Sequence, residues 1–193
     1  MSLSVSEWRH HNEWERKWWG SCANTFEEQL KQEIYAEYMR LNQFVSTKKS
    51  FDMRGKSIVD VGGGPVSLLL RCVNFSRAVV VDPCDYPEWV EQRYRQSGIE
   101  LIKNLAENVS FDMKFDEAWC YNCLEHVMDP DKVVRMMIAS ALKIRVCEYL
   151  ITGKWEGHPH NLTREWLDKM FQRQGLVDEA SNPPIYFGVF HYG

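Results

Sequence analysis

Residues 58–70 read IVDVGGGPVSLLL: an apolar, β-branched run that ends in an acid, three successive glycines, and then what reads as the start of a helix. A strand-turn-helix of this kind belongs at the edge of an open sheet, where glycine permits positive φ and lets backbone approach a ligand closely. The surrounding residues narrow the choice of ligand. A phosphate-cradling P-loop needs a lysine followed by Ser or Thr at the helix start, and neither stands here. A dinucleotide fingerprint is met at Gly62 and Gly64, but Ser67 occupies the third glycine position. Asp60, two residues before Gly62, is ill placed beside a pyrophosphate because both are anionic. A carboxylate at that point suits a ligand carrying an ammonium group.

Outward from this stretch, residues 55–150 alternate strand and helix. SIVDV (57–61), RAVVVD (77–82), IELIKN (99–104), EAWCYN (117–122) and KIRVCEYLI (143–151) read as strands. PVSLLLRCVNF (65–75), YPEWVEQRYRQSG (86–98) and DKVVRMMIASAL (131–142) read as the helices between them. The rhythm predicts a parallel sheet with helices on both faces. Right-handed crossovers then bring all the strand carboxyl ends to one edge, where open α/β sheets bind ligands. After residue 160, LTREWLDKMFQRQG (162–175) is a helix with Thr163 as N-cap and Gly175 past its end. GLVDEAS (175–181) and IYFGVFHYG (185–193) form a final antiparallel pair turned through Asn182-Pro183-Pro184.

The first 50 residues are helical in pattern. Ser4 with Glu7, and Thr25 with Glu28, fit capping boxes. Trp8, His11, Trp14 and Trp18 recur on one face of a first helix that Gly20 ends. Leu30, Ile34, Tyr38 and Leu41 mark a second. With 193 residues, 45% hydrophobic and 26% charged, the chain suits one α/β domain with a small appendage. No apolar run is long enough to span a membrane, and the first residues lack the pattern of a signal peptide, so a cytoplasmic location is the default expectation. The six cysteines are expected as free thiols. Net charge is −4 and the largest Lys/Arg cluster is Lys48-Lys49, which does not favour a nucleic-acid partner.

A second acid, Asp82, ends the strand after the glycine turn, where a carboxylate accepts hydrogen bonds from ribose hydroxyls. Acids at neighbouring strand ends imply a ligand with a cationic amino-acid end and a nucleoside end, without phosphates. S-adenosylmethionine is that molecule. VDVGGGP (59–65), VVVDP (79–83) and FDEAWCYNCLEHVMDP (115–130), in that order, resemble the class I S-adenosylmethionine-dependent methyltransferases. The third segment and GHPHNLTREWLDKMFQRQGL (157–176) resemble their small-molecule branch.

The resemblance implies a Rossmann-like methyltransferase fold: a mostly parallel seven-stranded sheet with an antiparallel C-terminal strand, plus N-terminal helices. Residues 51–193 would form the methyltransferase domain and 1–50 a helical lid or appendage. Asp60, Gly62, Gly63 and Gly64 would line the methionine end of the cofactor, and Asp82 with Pro83 the ribose. Asn104, Leu105, Ala106 and Glu107 follow the third strand, where the family contacts adenine; Leu105 stands where the usual acid would be. Tyr121 and Asn122 end the fourth strand beside the sulfonium.

Methyl transfer from a sulfonium is an in-line displacement, and the protein's task is to align the acceptor and remove its proton. His126 follows the fourth strand and suits a general base. His158 follows the fifth on the same edge, with His160 beside it in the sequence. Glu125 reads as a helix N-terminal acid, and Trp18 and Trp19 as walls that exclude water. Cys120 and Cys123 form a lone C-x-x-C inside a strand, without the second pair a zinc site requires, so no metal is expected. The function expected is methyl transfer to a small-molecule acceptor. The alternatives are a cofactor-binding protein without catalysis and a methyltransferase for RNA or protein.

Overall fold

The computed structural model describes residues 2–41, 44–45, 50–151, 153 and 157–193. The Lys48-Lys49 pair lies outside the described residues, and the first zone, expected to be helical to about residue 50, turns to strand at 44–45 and at 50. In chain order the elements are α1 (Val5–Trp19), α2 (Thr25–Tyr38), β1 (Phe44–Val45), β2 (Ser50–Asp52), β3 (Ser57–Val61), β4 (Cys72–Val73), β5 (Arg77–Val81) and α3 (Glu88–Gln96). There follow β6 (Ile99–Ile102), β7 (Phe115–Tyr121), α4 (Pro130–Ser140), β8 (Ala141–Tyr149), α5 (Arg164–Phe171), β9 (Leu176–Asp178) and β10 (Ile185–His191).

The main sheet has seven strands in the order β6-β5-β3-β7-β8-β10-β9. Strands β6 to β8 are mutually parallel, and β10 runs antiparallel to both β8 and β9. This is the Rossmann-like methyltransferase arrangement, with β3 and β7 at its centre. The β-branched runs of β3 and β5 fill it because central parallel strands are covered on both faces. Side chains alternate between two cores. Ile58, Val80, Trp119 and Cys147 face one; Val59, Val79, Ala118, Cys120 and Val146 face the other. A second, three-stranded sheet joins β1, β2 and β4.

Local signals decide most boundaries. The Ser4–Glu7 capping box forms, and Gly20 caps the far end of α1 at φ 47°. Thr163 caps α5 by accepting from the Trp166 N–H, but the helix ends earlier than expected, at Gln172 in the left-handed region. The second box does not form: Thr25 is already inside α2, and Asn24 precedes it without a side-chain cap. The helix expected over 65–75 is instead two short 3₁₀ turns, Gly64–Val66 and Leu68–Arg71, running into β4. Ser67 breaks it. Its backbone is extended at ψ 144°, and its hydroxyl turns back to bond Asp60 at 2.5 Å. Pinning that acid competes with a continuous helical ladder. All six cysteines are free and buried. Among the described residues, no helix is long and apolar enough to cross a membrane.

Helix α1 lies against the strand carboxyl edge, and α2 runs from it along one face of the sheet. Leu3 N–H bonds the Met128 carbonyl at 3.0 Å, and Trp8 Nε1 donates to the His126 carbonyl at 3.2 Å. Arg145 on β8 reaches the end of α2, donating to the Met39 carbonyl at 2.5 Å. That guanidinium also grips the buried Glu117 of β7, Nε to Oε2 at 2.6 Å, with Lys56 at 2.7 Å from Oε1.

Candidate active site

Between the strand edge and α1–α2 lies a cavity of about 510 Å³, within the range of small-molecule sites. Its floor is the glycine turn. Gly62 (φ 71°) and Gly64 (φ 63°) adopt the left-handed region, where a side chain would be strained. A Cβ on Gly62 would lie 2.1 Å from Cys123 Sγ, and one on Gly63 would lie 2.7 Å from Asp60 Oδ2. The turn is thus closely fitted to its underside while its backbone faces the cavity.

Asp60 holds that underside. It is fully buried, accepts from Ser67 Oγ and from Tyr121 OH at 2.7 Å through Oδ2, and its Oδ1 has no hydrogen-bond partner. Burial pushes its pKa up to about 7, against the pull of the Ser67 and Tyr121 hydrogen bonds. Tyr94 of α3 ties the turn from the other side, donating to the Gly64 carbonyl at 2.6 Å and accepting from Ser67 N–H at 2.9 Å. Asp82, at the end of β5, accepts from Gly64 N–H at 3.1 Å, Cys84 N–H at 3.0 Å and Tyr86 OH at 2.8 Å. Its carboxyl is also shifted upward, again by burial.

The structure brings most of the sequence-derived positions to one wall. Gly62, Gly63, Gly64, Asp82 and Pro83 line the cavity, as do Leu105, Ala106, Tyr121, Asn122, His126 and His158. Asp60 sits beneath the turn rather than in the wall, and Asn104 and His160 are also outside it. His160 instead bonds the Val127 carbonyl through Nε2 at 2.8 Å. An S-adenosylmethionine-like ligand fits these groups. The bare glycine backbone gives room, and the unpartnered Asp60 Oδ1 is an acceptor in want of a donor, such as an ammonium or a water between.

The roof joins residues not singled out as site residues in the sequence, Asn12, Glu15, Glu28, Gln32 and Tyr35, to the tryptophans of the expected helical lid. Trp8, Asn12, Trp14 and Glu15 of α1 form the roof together with Trp18 and Trp19, and Glu28, Gln32 and Tyr35 of α2 close one side. Their periodicity marked a buried face without saying against what it would lie. Trp14 stacks on Trp18 and meets His158 edge-on at 6.1 Å between centroids. Gly157 makes room for it: a Cβ there would lie 2.5 Å from the Trp14 ring.

Glu125 corrects an expectation. No helix starts at it; α4 begins at Pro130 with Asp129 as its N-cap. Glu125 lies in the turn after β7, fully buried, with Oε1 3.2 Å from His158 Nδ1 and 3.5 Å from His126 Nε2. His126 Nδ1 is 2.6 Å from the Gly157 carbonyl and 3.2 Å from Glu15 Oε1. Burial raises the Glu15 carboxyl, although the two histidines pull it down.

The fold is that of a Rossmann-like methyltransferase domain. Residues 59–142 match the family model described as a methyltransferase domain. Residues 59–142 therefore carry a methyltransferase domain. Comparison with curated proteins finds no match. Among solved structures, the chain is similar to DhpI in complex with S-adenosylhomocysteine, at TM-score 0.62 and 10% identity over 96% of this chain and 94% of that one. It is similar to the N-methyltransferase NodS from Bradyrhizobium japonicum, at TM-score 0.58 and 12% identity over 83% and 86%. The 1,6-didemethyltoxoflavin-N1-methyltransferase of Burkholderia thailandensis gives TM-score 0.57 and 13% identity over 94% and 82%. At these identities the likeness is one of fold.

Proposed function

We propose that the protein transfers the methyl group of S-adenosylmethionine to a small-molecule acceptor held beneath α1 and α2. One observation carries this reading: a single cavity runs from the glycine turn to the His126–His158 wall under a roof of tryptophans. A roofed chamber of this size admits a small acceptor and excludes a folded macromolecule. Two of the similar structures, the NodS N-methyltransferase and the 1,6-didemethyltoxoflavin-N1-methyltransferase, are named for methyl transfer to nitrogen, and the second holds its small acceptor.

The cofactor supplies an electrophilic methyl group that needs no further activation by the protein. The residues of this chain bind, orient and handle a proton. Gly62, Gly63 and Gly64 offer backbone to the methionine end, with Asp60 fixing the turn from below. Asp82 and Pro83 take the ribose end; Leu105 and Ala106, with Asn104 behind them, form the adenine side. Tyr121 and Asn122 stand at the end of β7, between donor and acceptor. Trp14, Trp18 and Trp19 hold the acceptor against that point and keep water out, which converts a two-body encounter into an aligned one. His126 and His158 are the candidates to take the acceptor's proton. Residues 1–50 serve as the cap that shapes the acceptor chamber, and residues 51–193 as the donor-binding domain.

Thermal shift with S-adenosylmethionine and S-adenosylhomocysteine tests the donor site. Both should raise the melting temperature, and Asp82→Ala should abolish the rise; no rise with either compound in the unaltered protein rejects the reading. A labelled-methyl screen of small hydroxyl and amine compounds then tests the acceptor class. Label appearing only on RNA or protein would overturn it.

A further inference from the structure

The acceptor end of the cavity holds a constellation that donor binding does not use. Glu125, His126 and His158 each present one ligand atom, and all three atoms lie within 4.8 Å of one another. We propose that these three side chains bind a divalent transition-metal cation of the zinc class, with its open coordination position facing the acceptor chamber. The acceptor role rests on the methyl-transfer reading above; the cation site itself does not.

The spacing is that of a coordination sphere. A tetrahedral ion with bonds of about 2.0–2.1 Å holds its ligand atoms about 3.3–3.4 Å apart. Glu125 Oε1 stands 3.2 Å from His158 Nδ1 and 3.5 Å from His126 Nε2. One carboxylate with two imidazoles is a donor set for Zn²⁺, Mn²⁺ or Fe²⁺ rather than for Mg²⁺ or Ca²⁺, which prefer oxygen throughout.

The hydrogen bonding of His126 gives an independent argument. Its Nδ1 faces the Gly157 carbonyl at 2.6 Å. A carbonyl oxygen can only accept, so Nδ1 carries the hydrogen. In the neutral ring Nε2 then presents a lone pair toward the Glu125 carboxylate. A metal ion held between Nε2 and the carboxylate oxygen, 3.5 Å apart, would be bonded by both. A ring nitrogen anchored to a backbone carbonyl, with the other nitrogen turned to a carboxylate cluster, is the usual support of a metal-ligating histidine.

Glu125 supplies the third argument. It is fully buried, and neither of its carboxylate oxygens accepts a hydrogen bond. Glu148 is buried beside it, and the two carboxylates act on one another unfavourably. Glu148 at least accepts the Cys123 and Leu124 N–H groups. Buried carboxyl oxygens that accept no hydrogen bond are costly, and a cation held between Glu125 and the two imidazoles would satisfy them. His126 and His158 line the cavity while Glu125 lies behind them, so the coordination position left over points at the acceptor.

The test is metal binding by the full chain after chelator treatment, using Co²⁺ as a spectroscopic stand-in and Zn²⁺ in competition. The expected result is one saturable equivalent of Co²⁺, with visible absorption typical of a nitrogen and oxygen site and displacement by Zn²⁺. Glu125→Gln and His158→Ala should each weaken binding at least ~10-fold, while the thermal shift with S-adenosylhomocysteine shows that the variants remain folded. Absence of saturable binding, unchanged affinity in both variants, or a thiolate-to-cobalt charge-transfer band that assigns the metal to cysteine would each overturn the proposal. If a variant does not fold, the Co²⁺ spectrum of the unaltered chain decides. Cobalt binding without a shift by S-adenosylhomocysteine leaves the cation site standing and removes the donor reading; the reverse result removes the cation site alone.

Discussion

Two buried acidic regions lie toward opposite ends of β7. Near its start, Glu117 is saturated: Arg145, Lys56 and Trp119 Nε1 all donate to it within 3.0 Å. Burial alone would raise its pKa, but Arg145 and Lys56 hold it down at about 2. Beyond its end, Asp60 keeps one oxygen unbonded and Glu125 keeps two, and burial pushes Asp60 up to about 7. The lower group is complete within the chain and ties α2 to the sheet. The upper group is left unfinished, and a set of acceptors without donors marks where something from outside is meant to bind.

The sharpest way to break the contrast is to make the lower region resemble the upper. Arg145→Leu leaves Glu117 short of its main partner and frees the Met39 carbonyl; we expect a loss of about 3 kcal/mol or more in urea unfolding, with cofactor affinity little changed in the variant that still folds. A change at the upper end should do the opposite. His126→Ala should lower kcat by ~10²-fold or more once an acceptor is in hand, while the unfolding midpoint moves far less. Equal stability losses from both would erase the distinction.

The third measurement concerns pH. The folded-state pKa of Asp60 is raised above its ordinary value of 3.8, so its stabilising contribution is intact below about 4 and is lost as pH rises through about 7. Asp60→Asn should therefore remove a downward slope of stability with pH, at most roughly 1.4 kcal/mol per unit, in unfolding experiments between about pH 4 and 7. Equal slopes in both proteins would mean that Asp60 is ionised throughout. The smallest effect is expected at the roof. Gly157→Ala puts a methyl group against Trp14 at φ 89° and should cost about 1 kcal/mol, seen chiefly as a higher KM for the acceptor with kcat nearly unchanged.

The sheet was legible because its strands are short β-branched runs separated by helix punctuation, and the donor edge because glycine and acid occur together at strand ends. The 3₁₀ turns after Gly64 were not, since PVSLLL has the apolar content of a helix and only the tertiary bond from Ser67 to Asp60 disrupts it. Glu125 was misread for a related reason. Its neighbours carry helix-like spacing, although Asp129-Pro130 four residues on is the stronger start signal. Glu15 was invisible as a site residue because periodicity reports which side of a helix is buried and nothing about its partner. The pairing of His126 with His158, at 4.5 Å between centroids, depends on the loop after β8 folding back across the edge, which no local pattern encodes.

Helix α1 buries none of its fifteen residues completely. Its moorings include Leu3 and Trp8 to the turn after β7, Asn12 to Cys84, Glu15 to His126, and the Trp14 ring over Gly157. A helix with no fully buried side chain unfastens at a lower free energy than β3 or β7. Traffic through the chamber can then proceed on its own clock while the sheet stays shut, and turnover would be paced by the tryptophan roof rather than by the strands that hold the methyl donor.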